Sequence, residues 1–187
     1  MKPEPQISVE RPVTWVALTG FMGVGKTRIG RELARELMLH FVDLDRWIER
    51  ATGLTIPDIF RYLGEETFRK LEREAVRELV GMDYLVISLG GGTFVDPQSR
   101  PLLLERGPVV ALWASPETIH QRVSRRPGRR PLLEGENALE QIKRLLKERE
   151  DLYRLAPIHV ESEGRRPRET AQEIVRKLWR WREARGK

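Results

Sequence analysis

An α/β domain built on a five-stranded parallel sheet flanked by helices is the fold this sequence predicts. Two observations carry the prediction. Short, nearly unbroken apolar runs recur along the chain with helical segments between them, and segments bearing glycine or aspartate follow those runs directly. Strands of a parallel sheet are covered on both faces by crossover helices, so they read as continuous apolar runs rather than alternating ones. In such sheets ligands gather at the carboxyl ends of the strands.

The elements follow in order. After a flexible tail over residues 1–12, residues 13–18 (VTWVAL) form a buried strand. Residues 20–25 are a turn, and 26–37 an amphipathic helix. Residues 41–44 (FVDL) give a second short strand, and two or three helical pieces cover 45–79 with breaks at Gly53 and Gly64. Residues 84–89 (YLVISL) run as a strand into Gly90, Gly91 and Gly92, and 97–105 are helical. Residues 109–113 (VVALW) are a fourth strand, followed by a helix that Ser115 caps with Pro116 in its first turn. Residues 125–137 are polar, dense in arginine and broken by Pro and Gly. Helix resumes to about residue 154, a fifth strand covers 158–160, and a last helix runs over 168–184. The domain spans residues 13–187.

At 187 residues the chain suits one compact domain with its own core. It has no cysteine, which excludes a disulfide framework or a Cys-based zinc site and fits a reducing cytosol. The opening MKPEPQISVERP has no apolar core of a targeting peptide, and no apolar run reaches membrane-spanning length. A cytoplasmic protein with no membrane partner is expected. The net charge of +6 raises nucleic-acid binding as a reading. Much of the arginine, however, sits among glutamates on helices, as in Arg31-Glu32-Leu33-Ala34-Arg35-Glu36, a pattern of local ion pairs. Aromatic residues make up 7% and do not alternate with basic ones as a base-stacking surface would require. No nucleic-acid partner is expected.

Gly20-Phe21-Met22-Gly23-Val24-Gly25-Lys26-Thr27 matches G-x-x-x-x-G-K-[ST] in full, between a strand and a helix. Its glycines let successive N–H groups face an anion, and the helix N-terminus adds partial positive charge. Lys26 is placed to reach the β- and γ-phosphates of a nucleotide, and the Thr27 hydroxyl to hold Mg²⁺. A plain strand-to-helix turn would explain the glycines but not Lys-Thr at the helix start.

Asp43 and Asp45 follow the second strand. Two residues apart on an extended segment, both carboxylates would face the site. Asp43 then serves the metal through its water shell. Asp45 either orients the attacking hydroxyl and takes its proton, or caps a helix. Arg69 and Arg149 each lie among acids, in GEETFRKLE and EREDLY, and local spacing reads them only as surface ion pairs. Three consecutive glycines at 90–92 point to close approach of a ligand to bare backbone, or to a tight bend. The arginine-rich stretch beginning at Arg122 reads as a lid over about 122–137 that supplies charge and excludes water, or as a solvated basic loop or a nucleic-acid patch.

Taken together, GFMGVGKT, DLD, IFRYLGEETFRKLE, SLGGGTF, RRPLL and EREDLYRLA, in that order, resemble the shikimate kinases over about residues 19–174. The resemblance implies a single-domain P-loop kinase with a mobile lid. It implies that Lys26, Asp45 and Arg130 are catalytic, and that Gly23, Val24, Gly25, Lys26, Thr27, Arg28, Arg122 and Arg130 bind ATP. Arg122 would stack on adenine. Asp45, Arg69, Gly90, Gly91, Gly92 and Arg149 would bind substrate, with Arg69 and Arg149 on its carboxylate and Glu72 orienting Arg69. Thr27 and Asp43 would hold Mg²⁺. Arg28 departs from the family pattern, which commonly has a small hydroxyl residue there.

The expected enzyme is therefore a monomeric phosphotransferase that converts ATP and shikimate to ADP and shikimate 3-phosphate. An ordinary aspartate, ionising near about 3.9, is a weak base, so Asp45 is expected chiefly to orient the hydroxyl. The rival activities are a kinase for another hydroxylated acid such as gluconate, a nucleic-acid-associated ATPase, and a non-catalytic nucleotide-binding regulator.

Overall fold

The computed structural model describes residues 10–125 and 137–186. The apolar runs form a five-stranded sheet, parallel throughout, in the order β2-β3-β1-β4-β5. β1 is Trp15–Thr19, β2 His40–Asp43, β3 Leu85–Ser88, β4 Val109–Trp113 and β5 Ile158–Glu161. Central β1 and β3 are buried along their whole length, whereas the edge strands β2 and β5 are partly exposed. The chain passes from β3 on one side of β1 to β4 on the other. The loops after β1 and β3 thereby meet at a switch point, where α/β sheets open a crevice.

Helix α1 (Lys26–Leu37) buries Ile29, Gly30, Leu33, Ala34 and Leu37, the spacing of one helical face. It lies so close to the sheet that a Cβ on Gly30 would come 2.6 Å from the Phe41 ring. On its other side it packs against α8 (Pro167–Arg185). The region 45–79 resolves into α2 (Leu44–Thr52), a short α3 (Ile56–Asp58), a π-helical turn (Ile59–Leu63) and α4 (Gly64–Val80). Gly53 ends α2 in a left-handed conformation, and Thr55 caps α3 by accepting from the Asp58 N–H. α5 (Ser99–Arg106) starts two residues later than its composition predicts. Asp96 sets that start by accepting from both the N–H and the hydroxyl of Ser99, at 2.8 Å each.

Ser115 caps α6 (Pro116–Ser124) through the Thr118 N–H, as expected. Arg122, Val123 and Ser124 form the last turn of α6, and α7 runs Ala138–Tyr153. The rest of the expected lid, with Arg130, lies outside the described residues, as do residues 1–9 of the expected tail. Glu10 and Arg11 at its end are tied to α8, where Arg182 donates to the Glu10 carboxylate at 3.2 Å and to the Arg11 carbonyl at 3.0 Å.

Candidate active site

The P-loop leaves β1 at Gly20. Its φ of +127°, and the Leu112 carbonyl oxygen that any Cβ there would run into, admit only glycine. Two further glycines with positive φ, Gly23 and Gly25, carry the loop around to α1. Lys26 is buried, and its Nζ donates to the carbonyls of Gly20 at 2.8 Å and Phe21 at 3.1 Å, so the ammonium sits over the loop. Thr27 Oγ1 donates to Asp43 Oδ2 at 2.8 Å, joining the start of α1 to the end of β2.

The two aspartates do not follow the extended geometry the sequence suggests. β2 stops at Asp43, and the chain is helical from Leu44 onward. Asp43 is itself the cap of α2, accepting from the Arg46 N–H, so Asp45 is not the cap but a first-turn residue. The carboxylates consequently diverge. Asp43 points to Thr27, while exposed Asp45 reaches the glycine run, its Oδ1 lying 3.2 Å from where a Cβ on Gly90 would stand.

That run is where the remaining groups meet. A Cβ on Gly90 would also come 2.7 Å from Glu72 Oε1 and 2.9 Å from Thr93 Oγ1. One on Gly92 would come 2.6 Å from Arg69 Nη1, and one on Gly91 would stand 3.7 Å from the Met22 N–H of the P-loop and 3.8 Å from Arg149 Nη1. At Gly90 and Gly92 side chains of this same chain close on the bare backbone, whereas a Cβ on Gly91 would have ordinary van der Waals room. Arg69 is not a surface ion pair. Its Nη1 donates to Glu72 at 2.5 Å and its Nη2 to Glu65 at 3.1 Å, and its guanidinium lies over Phe68. Glu72 is buried and also accepts from Thr93 Oγ1 at 2.7 Å. Burial works against the charge on Arg69, but Glu72 and Glu65 outweigh it and hold the guanidinium more firmly protonated than usual.

Arg149 projects from α7, with Nη1 3.5 Å from the Gly91 carbonyl and its guanidinium over Phe21. One helical turn on, the buried Tyr153 donates to that same carbonyl at 2.6 Å. Burial pushes the Tyr153 phenol up, with Arg149 pulling the other way. Sequence reading passed over Tyr153, although residues four apart on a helix share a face and Arg149 marked that face. Arg122 lies behind the P-loop, 3.1 Å from the Val24 carbonyl and 2.9 Å from that of Ser162. Burial loosens its hold on its proton, Glu163 opposes that, and the nearby Arg28 adds to it.

The chain as a whole is closely similar to known proteins. A family model described as "Shikimate kinase" matches residues 22–179. A shikimate kinase of Thermus thermophilus is 68% identical over 181 residues, covering 97% of this chain and 98% of that protein. The chain belongs to the shikimate kinase family. The enzyme of Deinococcus radiodurans is 53% identical, over 96% of this chain and 91% of its own. Among solved structures, a shikimate kinase from Acinetobacter baumannii in complex with shikimate superposes with a TM-score of 0.84 at 40% identity, covering 89% of this chain and 93% of that one. A gluconokinase from Sinorhizobium meliloti, at 18% identity and a TM-score of 0.60, shares the fold alone.

Many of the arginines that make this member basic are spent on helix surfaces, as in Arg35–Glu32, Arg166–Glu169 and Arg168–Glu36. Among the described residues, no helix is long and apolar enough to cross a membrane.

Proposed function

We propose that this enzyme phosphorylates the 3-hydroxyl of shikimate with ATP, using the residues assembled around Gly90–Gly92. The observation that carries the reading is that Arg69 and Arg149 come from different helices to one glycine run, which also adjoins the P-loop and Asp45. Two planar guanidinium forks suit one carboxylate, and shikimate pairs a carboxylate with ring hydroxyls.

In this reading the substrate carboxylate lies between Arg69 and Arg149, with the bare backbone of Gly90, Gly91 and Gly92 against the ring. Asp45 accepts a hydrogen bond from the 3-hydroxyl, which fixes the direction of attack. The hydroxyl oxygen bonds to the γ-phosphorus as the bond from phosphorus to the bridging β,γ-oxygen breaks. Its proton passes to Asp45 or to water, and ADP leaves with the bridging oxygen. Gly23, Val24, Gly25 and Thr27 present the loop to the ATP phosphates, and Lys26 neutralises charge on the β- and γ-phosphates. Arg28 adds positive charge near the loop, and Arg122 acts on ATP through the loop backbone, its guanidinium engaged by the carbonyls of Val24 and Ser162. Arg130, outside the described residues, supplies a further charge to the ATP phosphates in a kinase domain over 13–187. Positioning and charge stabilisation supply most of the rate.

Thr27 and Asp43 offer a hydroxyl and a carboxylate oxygen 2.8 Å apart, a hard donor set suited to Mg²⁺, which keeps several of its own waters. Held by Thr27 and Asp43, Mg²⁺ would supply positive charge against the negative charge of the ATP phosphates. The same reading takes the enzyme as a cytoplasmic monomer whose partners are ATP and shikimate, without nucleic acid or membrane.

The test is coupled ADP release across a panel holding shikimate, gluconate and related hydroxy acids. Shikimate is expected to turn over best. ATP hydrolysis that no acid in the panel stimulates would remove the reading.

A further inference from the structure

We propose that Ser162 is a positioning residue for the P-loop, gripping it from behind together with Arg122 so that its N–H groups face the nucleotide. The inference rests on the nucleotide reading of that loop. Ser162 follows β5 directly and is 3% exposed. Its N–H donates to the Trp113 carbonyl at 2.8 Å, tying the end of β5 to the end of β4. Its hydroxyl lies 2.7 Å from the Val24 carbonyl and 3.0 Å from that of Trp113. A hydroxyl has one proton to give, and the shorter contact, to the Val24 carbonyl, takes it. Arg122 Nη1 lies 3.2 Å from the same hydroxyl oxygen, 3.1 Å from the Val24 carbonyl and 3.4 Å from that of Gly23. Its Nη2 donates to the Ser162 carbonyl at 2.9 Å.

A trans peptide sets its carbonyl and the following N–H on opposite sides. Holding the carbonyls of Gly23 and Val24 toward Ser162 and Arg122 therefore turns the N–H groups of Val24 and Gly25 the other way; that of Val24 meets the Phe21 carbonyl at 3.4 Å across the loop, and that of Gly25 is left to the cradle where phosphate sits. The restraint matters here because Gly23 and Gly25, at φ +86° and +104°, have no Cβ to keep the adjoining peptides from turning over. A cradle already turned binds phosphate without an ordering cost. Ser162 touches the loop from 138 positions away, so no motif announces it.

The experiment measures ADP affinity by calorimetry, KM for ATP and for shikimate, and Tm for the wild type, Ser162→Ala and Ser162→Thr. Loss of one buried hydrogen bond is expected to weaken ADP binding about ten-fold in Ser162→Ala and to raise KM for ATP in parallel. KM for shikimate should stay within about two-fold, and Ser162→Thr, which keeps the hydroxyl, should bind ADP like the wild type. If Ser162→Ala does not fold, Ser162→Cys is read in its place, because a thiol fills the site but donates weakly. Unchanged ADP affinity, an equal rise in both KM values, or weakening in Ser162→Thr as large as in Ser162→Ala would overturn the proposal. A wild-type protein that binds no ADP would instead overturn the nucleotide reading itself.

Discussion

Replacing Gly90 by alanine tests the whole substrate half of the site with one methyl group. The new carbon would stand 2.7 Å from Glu72 Oε1, 2.9 Å from Thr93 Oγ1 and 3.2 Å from Asp45 Oδ1, each well inside contact distance. Asp45 is exposed and can move aside, but Glu72 cannot. Its carboxylate is buried, bonded to Thr93 on one oxygen and to Arg69 on the other, so any shift breaks or stretches a charge-assisted bond. Losing one such bond costs about 1.5–3 kcal/mol, and for a domain of this size each kcal/mol lowers Tm by about 2–4 °C. A fall of roughly 3–12 °C in Tm follows. Displacing Arg69 and Asp45 by about 1 Å should lower kcat/KM for shikimate on the order of 100-fold. ADP affinity should hardly change, because none of the three displaced groups belongs to the P-loop. Gly53→Ala is the control. It is strained by its φ of +71° but meets nothing within 4 Å, so it should cost stability without touching KM for shikimate. If Gly90→Ala kept wild-type kcat/KM for shikimate, or lost ATP and shikimate binding alike, the assignment of this glycine run to the acceptor would be wrong.

Asp45→Asn keeps the shape of the side chain but removes its charge; kcat should drop by at least about 100-fold with ADP affinity intact, and near-full turnover in a steady-state assay would refute both roles given to Asp45. Tyr153→Phe removes the 2.6 Å bond to the Gly91 carbonyl and should cost about 1–3 kcal/mol, read as a lower Tm together with a higher KM for shikimate. His159 should make stability fall on acidification. Burial, followed by the charges of Arg154 and Lys177, holds its imidazole below the ordinary value, so the unfolded chain binds the proton more readily. The contribution is present above about pH 6.5 and is lost as pH falls toward the folded pKa. Urea unfolding across that range should show it, and His159→Gln should flatten the slope.

The parts of this fold that local sequence can encode were legible in it. Five apolar runs became five strands, and the P-loop appeared complete because its eight residues are contiguous. The lesson from the aspartates is different. Pattern alone could not tell that β2 would hand over to a helix at Leu44, and that one-residue difference sends Asp43 and Asp45 to separate halves of the site. Arg69 looked like any helix-surface arginine, since its neighbour Gly92 is brought up by β3 and not by its own helix. Only the resemblance gave it a role. Tyr153 had a faint signal in its spacing from Arg149. Ser162 had none, because its partners lie on β4, α6 and the P-loop.

The way Arg69 is held bears on how the pocket discriminates among anions. One side of its guanidinium is fixed to buried Glu72, while the other is bonded to Glu65, which is largely in solvent. In the proposed mode of binding, an arriving carboxylate would displace Glu65 and take over its contact, exchanging one negative group for another. Docking through this residue is then nearly neutral in net charge, so the fit of the ring decides more than raw attraction. KM for shikimate should therefore vary less with ionic strength than ADP affinity, which depends on the cations gathered at the P-loop.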